Sequence, residues 1–393
     1  MRNSWTVKKV SDFGEIITGS TPSTKINEYW NGNYPFYSPA DFDGKKYCSS
    51  TERQVSQTGL NTGRILKENS ILFTCIGSIG KMAISTKTGI SNQQINAVTV
   101  NKENDYEFVY YLLNFHKEKF KSVAPMTTIQ IINKSDFGAF RFSIPPSLNH
   151  QRKIAKILNT VDVVIEKTET AIAKYKVVKQ GMMQDLFTRG IDPQTGKLRP
   201  NQKDAPELYK ETELGWIPKE WEVKQLNDFL YLKSGDGITS INIRNHDKYK
   251  VYGGNGLRGY TNTFTHYGEF VLIGRQGALC GNITYVNGKF YASEHAVVVT
   301  ILDESNYKWV EHKLFLMNLN KYSEASAQPG LSVSKIQKLK ISVPKAPEQE
   351  IIASRLKQID QLIQEEQANL SKHQSLKKGL MQDLLTGKVE VEV

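Results

Sequence analysis

Two stretches of 38 residues, 151-QRKIAKILNTVDVVIEKTETAIAKYKVVKQGMMQDLFT-188 and 349-QEIIASRLKQIDQLIQEEQANLSKHQSLKKGLMQDLLT-386, align without a gap at a constant offset of 198. They share 14 identities, among them Gln151/Gln349, Ile154/Ile352, Asp162/Asp360 and the Gly-x-Met-Gln-Asp-Leu run from Gly181 and Gly379. A gapless match of this length marks a rigid element whose length matters, inside a protein built from two similar halves. Apolar residues recur at alternating steps of four and three: Ile154, Leu158, Val161, Ile165, then Ile172, Tyr175, Met182 and Leu186. The second copy repeats the seam at Ile352, Leu356, Ile359, Ile363, Leu370, Leu380 and Leu384. That is a helical period, and neither copy contains proline. Pro145-Pro146 and Pro344/Pro347 stand just ahead, where a helix starts but cannot extend backwards. Thirty-eight helical residues reach about 57 Å. Each such helix leaves an apolar stripe that needs a cover, and the two copies are expected to pack on each other.

The segments before the helices also echo one another. Trp5-Thr6-Val7-Lys8 matches Trp221-Glu222-Val223-Lys224, and Asp12-Phe13 matches Asp228-Phe229. Phe140, Phe142 and Ile144 alternate up to Pro145, as Leu339, Ile341 and Val343 do up to Pro344, which predicts a closing strand in each half. Between these ends the halves diverge almost completely, sharing only β-branched and aromatic runs followed by glycine turns. Short helices are expected at 108–120 and 308–319. The expected layout is a first globular domain over 1–147, a long helix over 148–190, an irregular linker over 191–215, a second domain over 216–345 and a second long helix over 346–388.

The 393 residues suffice for two or three domains, each with its own core. No apolar run approaches the length of a membrane helix, and Met1–Val10 shows no secretory signal, so a cytoplasmic location and no membrane partner are expected. Cys48, Cys75 and Cys280 are scattered and form no CxxC pair, which argues against a disulfide framework or a zinc site. The net charge of +11 favours anionic partners, nucleic acid first, although it is spread without a polybasic tail.

Catalytic motifs are absent. Gly77–Lys81 lacks the first glycine of a phosphate loop, and Ile144-Pro145-Pro146-Ser147 is not an adenine-methylase motif. Asp12-Phe13-Gly14 and Asp136-Phe137-Gly138 spell a kinase tripeptide without its catalytic loop. The seven histidines show no ligand spacing, and His150 and His373 are expected at the helix surface.

Three runs carry a resemblance. Gly215-Trp216-Ile217-Pro218-Lys219-Glu220-Trp221 resembles the G-x-I-P-x-x-W lead of a target recognition domain. Val343-Pro344, Glu348-Gln349, Ile352-Ala353 and Leu356 resemble the helix start that follows such a domain, and Leu380–Gly387 its end. Together they are similar to the specificity subunit of type I restriction-modification systems, over the whole chain. The first half departs from the pattern: His150 stands where the pattern has Glu, and no Gly-x-Ile-Pro precedes Trp5.

The resemblance implies an α+β fold of two β-rich target recognition domains separated by two long helices packed as an antiparallel coiled coil. It implies that each domain reads one half of a split site in double-stranded DNA, that the helices fix the spacer, and that two methyltransferase subunits dock on them. Restriction-translocase subunits complete the complex. The chain is expected to bind no cofactor itself, with S-adenosylmethionine, ATP and magnesium on the partner subunits, and to be non-catalytic. Docking candidates are Ile154, Leu158, Ile165, Gln184 and Asp185 on the first helix and Ile352, Leu356, Ile363, Gln382 and Asp383 on the second. A self-contained methyltransferase or nuclease, or a coiled-coil protein adaptor, are the competing readings.

DNA readers are sought among polar and basic groups beside glycine turns, where backbone approaches phosphate. In the first domain these are Tyr37, Lys45, Lys46, Arg64, Ser78, Lys81 and Gln93; in the second, Arg244, Asn255, Arg258, Tyr260, Arg275, Gln276 and His295. Arg275 and Gln276 carry the chemistry for bidentate contacts to guanine and adenine.

Overall fold

In the computed structural model residues 5–123, 130–277, 279–323 and 330–393 are described. The chain divides into two compact units, one holding residues up to Glu169 together with Ala368–Val393, the other Thr170–Gln367.

The first unit opens with β1 (Thr6–Lys9), β2 (Gly14–Thr18), β3 (Trp30–Tyr37), β4 (Tyr47–Cys48), β5 (Arg53–Val55) and α1 (Gln57–Thr62). It continues through β6 (Ile71–Thr74), β7 (Met82–Ser85), β8 (Ile90–Ser91), β9 (Ile95–Val100), α2 (Tyr106–Phe115), α3 (Lys117–Val123), α4 (Lys134–Ala139) and β10 (Arg141–Ile144). The long helix α5 (Leu148–Thr188) follows. The second unit holds β11 (Tyr209–Thr212), β12 (Gly215–Pro218), β13 (Glu222–Gln225), β14 (Leu230–Ser234), β15 (Tyr249–Gly253), β16 (Gly256–Thr261), β17 (His266–Gly274), β18 (Ile283–Ala292) and β19 (Ala296–Ile301). After these come α6 (Tyr307–Leu316), α7 (Val333–Ile336), β20 (Lys340–Val343) and the second long helix α8 (Ala346–Leu385).

Each half begins and ends on the same strand pair. Thr6 faces Ile144 in β1–β10, and Glu222 faces Val343 in β13–β20, both antiparallel. This pairing returns the chain to its starting point just before the helix. The main sheets run β2-β9-β6-β7-β4 in the first unit and β14-β19-β17-β18-β15-β16 in the second. A smaller sheet, β5-β3-β8, completes the first. Pro347 sits in the first turn of α8, where its missing N–H costs nothing.

In each unit the start of one long helix lies antiparallel to the end of the other. Ile154, Ala155 and Leu158 share a core with Met381, Leu384 and Leu385, and further along the pair Lys377 meets Asp162 at 2.5 Å. In the second unit Ile352, Ala353, Leu356 and Ile359 share a core with Met183, Leu186 and Phe187, and Lys179 meets Asp360 at 2.6 Å. The two ion pairs join equivalent positions of the repeat, so one geometry is built twice. The repeated glutamine has a matching use. Buried Gln151 accepts from the backbone N of Asp105, and buried Gln349 from that of Asn306; these two residues cap α2 and α6. Both contacts tie the recognition fold to its helix.

A glycine follows each helix in the left-handed region, Gly190 at φ 67° and Gly387 at φ 68°. Each presses on the tryptophan that opens a domain: a Cβ on Gly190 would lie 2.6 Å from the Trp221 ring, and one on Gly387 2.8 Å from the Trp5 ring. Conformation and close approach therefore both demand glycine at these two points.

Residues 191–215 are not irregular, as their polar composition suggested. Ile191 bridges Leu198, β11 pairs with β12, and Arg199 is sealed into the second unit. Its guanidinium donates to Glu348 at 2.5 Å and to Glu220 at 2.6 Å, while Trp221 Nε1 and Ile191 N also donate to Glu348, at 3.0 and 2.7 Å. Glu348 is the counterpart of His150, whose ring hydrogen-bonds Ser147 Oγ at 2.7 Å. The departure at His150 thus has a structural reason: the acid is needed where a linker arginine must be neutralised. His373, expected at the surface, is half-buried with Nδ1 enclosed and unbonded.

Removing Glu348 leaves the buried guanidinium to the exposed Glu220 alone and strands the Trp221 and Ile191 donors. Glu348→Ala is expected to cost about 3–5 kcal/mol, and His150→Ala about 0.5 kcal/mol or less. Chemical denaturation of the two variants measures this, and equal costs would contradict the assignment.

Candidate nucleic-acid interface

The strand ends of each domain gather the same set of loops. In the second unit Arg275 N donates to His295 O (2.9 Å), Leu331 N to Arg275 O (2.9 Å), Gly235 N to Ala296 O (2.9 Å) and Ser293 N to Tyr252 O (2.8 Å). Gln276 bridges Gly330. In the first unit Cys75 N donates to Gln94 O (2.7 Å), Ile132 N to Cys75 O (2.9 Å), Gly19 N to Ile95 O (3.0 Å) and Asn92 N to Tyr37 O (3.0 Å). Here Ile76 bridges Ile131. One backbone pattern therefore carries two sets of side chains, with Cys75 in the place of Arg275, Ile76 in that of Gln276 and Gln94 in that of His295.

Within this loop cluster the second domain collects five of its expected readers. Arg275 donates to Ser234 Oγ at 3.1 Å, which aims its guanidinium along the loops. Gln276 and Asn255 are exposed, Arg258 lies across Gly253, and His295 pairs with Glu294 at 3.0 Å. Arg244 and Tyr260 exchange backbone hydrogen bonds of 2.8 Å beside the β15–β16 hairpin, where Tyr260 stacks on His246 and Arg244 pairs with Asp247. In the first domain the cluster holds Ser78, Lys81, Gln93 and Arg64. Arg64 donates to Thr18 O at 2.8 Å, and Gln93 accepts from Thr21 at 2.7 Å.

Lys45 and Lys46 lie elsewhere, and Tyr37 joins the cluster only through its backbone carbonyl. Tyr37 is fully buried and donates to Lys87 O at 2.8 Å, so it is a core residue. Lys46 turns inward to Glu107 (2.6 Å), Asn159 and the faces of Tyr47 and Tyr111, joining β4 to α2 and α5. Burial holds its ammonium below the usual lysine range, although Glu107 opposes the shift. Lys45 pairs with Asp43 at 3.2 Å, ahead of the edge strand β4. The first-domain cluster adds residues not anticipated from sequence: Ile76, Ile131, Asn92 and Gln94. Their signal was the match between Cys75-Ile76-Gly77 and Arg275-Gln276-Gly277, visible only once the backbones are compared.

The apolar docking candidates face inward. Ile154, Leu158, Ile352, Leu356 and Ile363 are buried within their own units, and Ile165 is half-buried. Gln184 and Gln382 remain exposed; Asp185 pairs with Arg189 at 3.1 Å and Asp383 with Lys388 at 3.2 Å. The apolar groups open to a partner are instead Val163, Val164 and Leu376 in the first unit and Val177, Val178 and Leu362 in the second. Burial pushes the Cys48 and Cys75 thiols up to about 11, leaving neither a thiolate at neutral pH. Among the described residues no cluster of three or more His, Cys, Asp or Glu is arranged to hold a metal, and no helix is long and apolar enough to cross a membrane.

A twice-built unit of strand-end loops on a shared pair of long helices defines a bipartite recognition protein. The chain belongs to the family of the type I restriction modification DNA specificity domain, whose profile it matches over residues 2–174 and again over 218–372. It is 31% identical over 357 residues to the type I restriction enzyme EcoprrI specificity subunit of Escherichia coli, spanning 88% of this chain and 85% of that protein. Similarity to the MjaVIII specificity subunit of Methanocaldococcus jannaschii is 26% over 419 residues, spanning 99% and 93%. Among solved structures, the type I restriction-modification S subunit of M. genitalium superposes with a TM-score of 0.66 at 18% identity, covering 97% of this chain and 96% of that one. A chain from a structure of complex assembly and conformational transition in the type I R-M system superposes at 0.56 with 14% identity, covering 98% of both.

One residue breaks the equivalence of the two domains in a measurable way. Lys313 occupies on α6 the place of fully buried Leu112 on α2. Its ammonium meets Ser342 Oγ at 3.1 Å and lies 5.7 Å from the Phe187 ring centre, and burial pushes it down to about 8 from 10.5. The folded state then releases its proton before the unfolded state, so stability is expected to rise with pH between about 8 and 10.5. Lys313→Leu should raise stability at pH 7 and remove this part of the rise. A variant with an unchanged pH profile would show that Lys313 is not desolvated.

Proposed function

We propose that this chain is the DNA-reading, non-catalytic subunit of a type I restriction-modification complex. Each domain reads one half of a split site in double-stranded DNA, and the paired helices set the unread spacer. The supporting observation is that one loop framework is built twice on a shared helix pair, with different side chains at matching positions. Phosphate contacts from groups such as Lys81, Arg64 and Arg258 fix register, while Arg275 and Gln276 carry the chemistry of base-edge readers. A net charge of +11 supports the same partner.

Two methyltransferase subunits dock on the helices, on this reading, through the valines and leucines left open there and the exposed Gln184 and Gln382. Such a repeated face suits two copies of one partner. Restriction-translocase subunits join that core. S-adenosylmethionine, ATP and magnesium belong to those partners.

Replacing residues 1–147 by the corresponding domain of another such subunit is expected to change one half of the methylated site and leave the other. A change in both halves would contradict independent readers. Inserting four residues at Ala173 adds about 6 Å of helix, close to two steps of about 3.4 Å along DNA. Sites with the original spacer should then lose methylation, and an unaltered spacer would remove the ruler role.

A further inference from the structure

The two loop clusters share a backbone but differ in chemistry at one matched place. In the second domain it holds Gln276 bridged to Gly330, so an amide stands beside bare backbone. In the first it holds Ile76 bridged to Ile131. Ile131 is 49% exposed and Ile76 half-buried. Ile76 packs partly against the first core, but the bridge itself does not require apolar residues, because the second domain builds it from a glutamine and a glycine, and core packing leaves Ile131 49% exposed. Among the described residues the pair is not part of a wider greasy face. It lies among Ser78, Lys81, Gln93 and Gln94, all polar and exposed. Two isoleucines held together amid hydrogen-bonding and basic groups match a ligand that is polar overall with one small apolar feature. In the major groove that feature is the C5-methyl of thymine.

We propose that Ile76 and Ile131 read thymine methyl groups in the half-site of the first domain, while the second domain, through Gln276, reads polar base edges at the matching place. This rests on the assignment of the chain as a reader of split DNA sites. It adds the chemical group recognised and the pair that recognises it. The pair is held in place by backbone: Gly77 N donates to Gln130 O at 3.1 Å, and Ile132 N to Cys75 O at 2.9 Å, on either side of the bridge. Its side chains therefore meet the groove with little ordering left to do.

The test uses the specificity subunit with its methyltransferase subunits and a duplex carrying the methylated site. Uracil replaces thymine in one half at a time, deleting the methyl and keeping every base pair. In the half assigned to the first domain by domain exchange, binding should weaken about fourfold per contacted methyl. In the other half affinity should stay within about twofold. The double variant Ile76→Gln, Ile131→Gly, which installs the second domain's residues, should lose the uracil effect; the uracil series on the unaltered protein stands even if that variant folds poorly. Equal sensitivity of both halves, no sensitivity in the first, or a first half-site without thymine would overturn the proposal and leave the split-site assignment standing. Failure to bind the unmodified duplex selectively would sink that assignment, and this proposal with it.

Discussion

Everything in this molecule depends on covering the apolar stripe of two helices of about 60 Å. Neither helix covers its stripe alone. Within the first unit Ile154 and Leu158 are buried by Met381, Leu384 and the recognition core; within the second, Ile352 and Leu356 are buried by Met183, Leu186 and Phe187. Each helix thus begins in one unit and ends in the other. That reciprocity explains why the two copies align without a gap: a slip of one residue turns a buried position outward and separates Asp162 from Lys377, or Asp360 from Lys179. The worth of each ion pair is modest, since all four side chains keep some exposure, and their role is to set register more than to add stability.

The two halves are equivalent in frame and unequal in detail. Gln151 and Gln349 make the same helix-to-cap contact, and Gly387 and Gly190 make the same approach to tryptophan. Glu348 and His150 do not match, because only the second unit has Arg199 to neutralise. Lys313 and Leu112 differ as well, and nothing in the structure explains why a lysine replaces leucine there. The variable chemistry otherwise concentrates in the loops, where a framework can change its side chains without moving its strands.

Sequence alone made the helices, their seam, the closing strands and the shared domain openings legible, because periodicity and repetition survive where the strands between them diverge. It also named Arg275, Gln276, Ser78 and Arg64, which the loops do bring into their clusters. It misjudged Tyr37 and Lys46 for a physical reason: a tyrosine beside a turn and a lysine beside another lysine look exposed until long-range packing buries them. The linker looked irregular because its short pairings, Ile191 with Leu198 and β11 with β12, lack a strong apolar alternation, and its anchor, Arg199 to Glu348, reaches across more than a hundred residues. Ile76 and Ile131 were invisible as a pair, since only the backbone bridge brings them together.

One stiff repeated frame holds two separate readers of one DNA site. Mapping methylated bases in cells that express this chain with its methyltransferase subunits tests it most directly. The expected motif is two short defined sequences separated by undefined bases of constant number. A single uninterrupted motif, or two sequences whose separation varies from site to site, would contradict it.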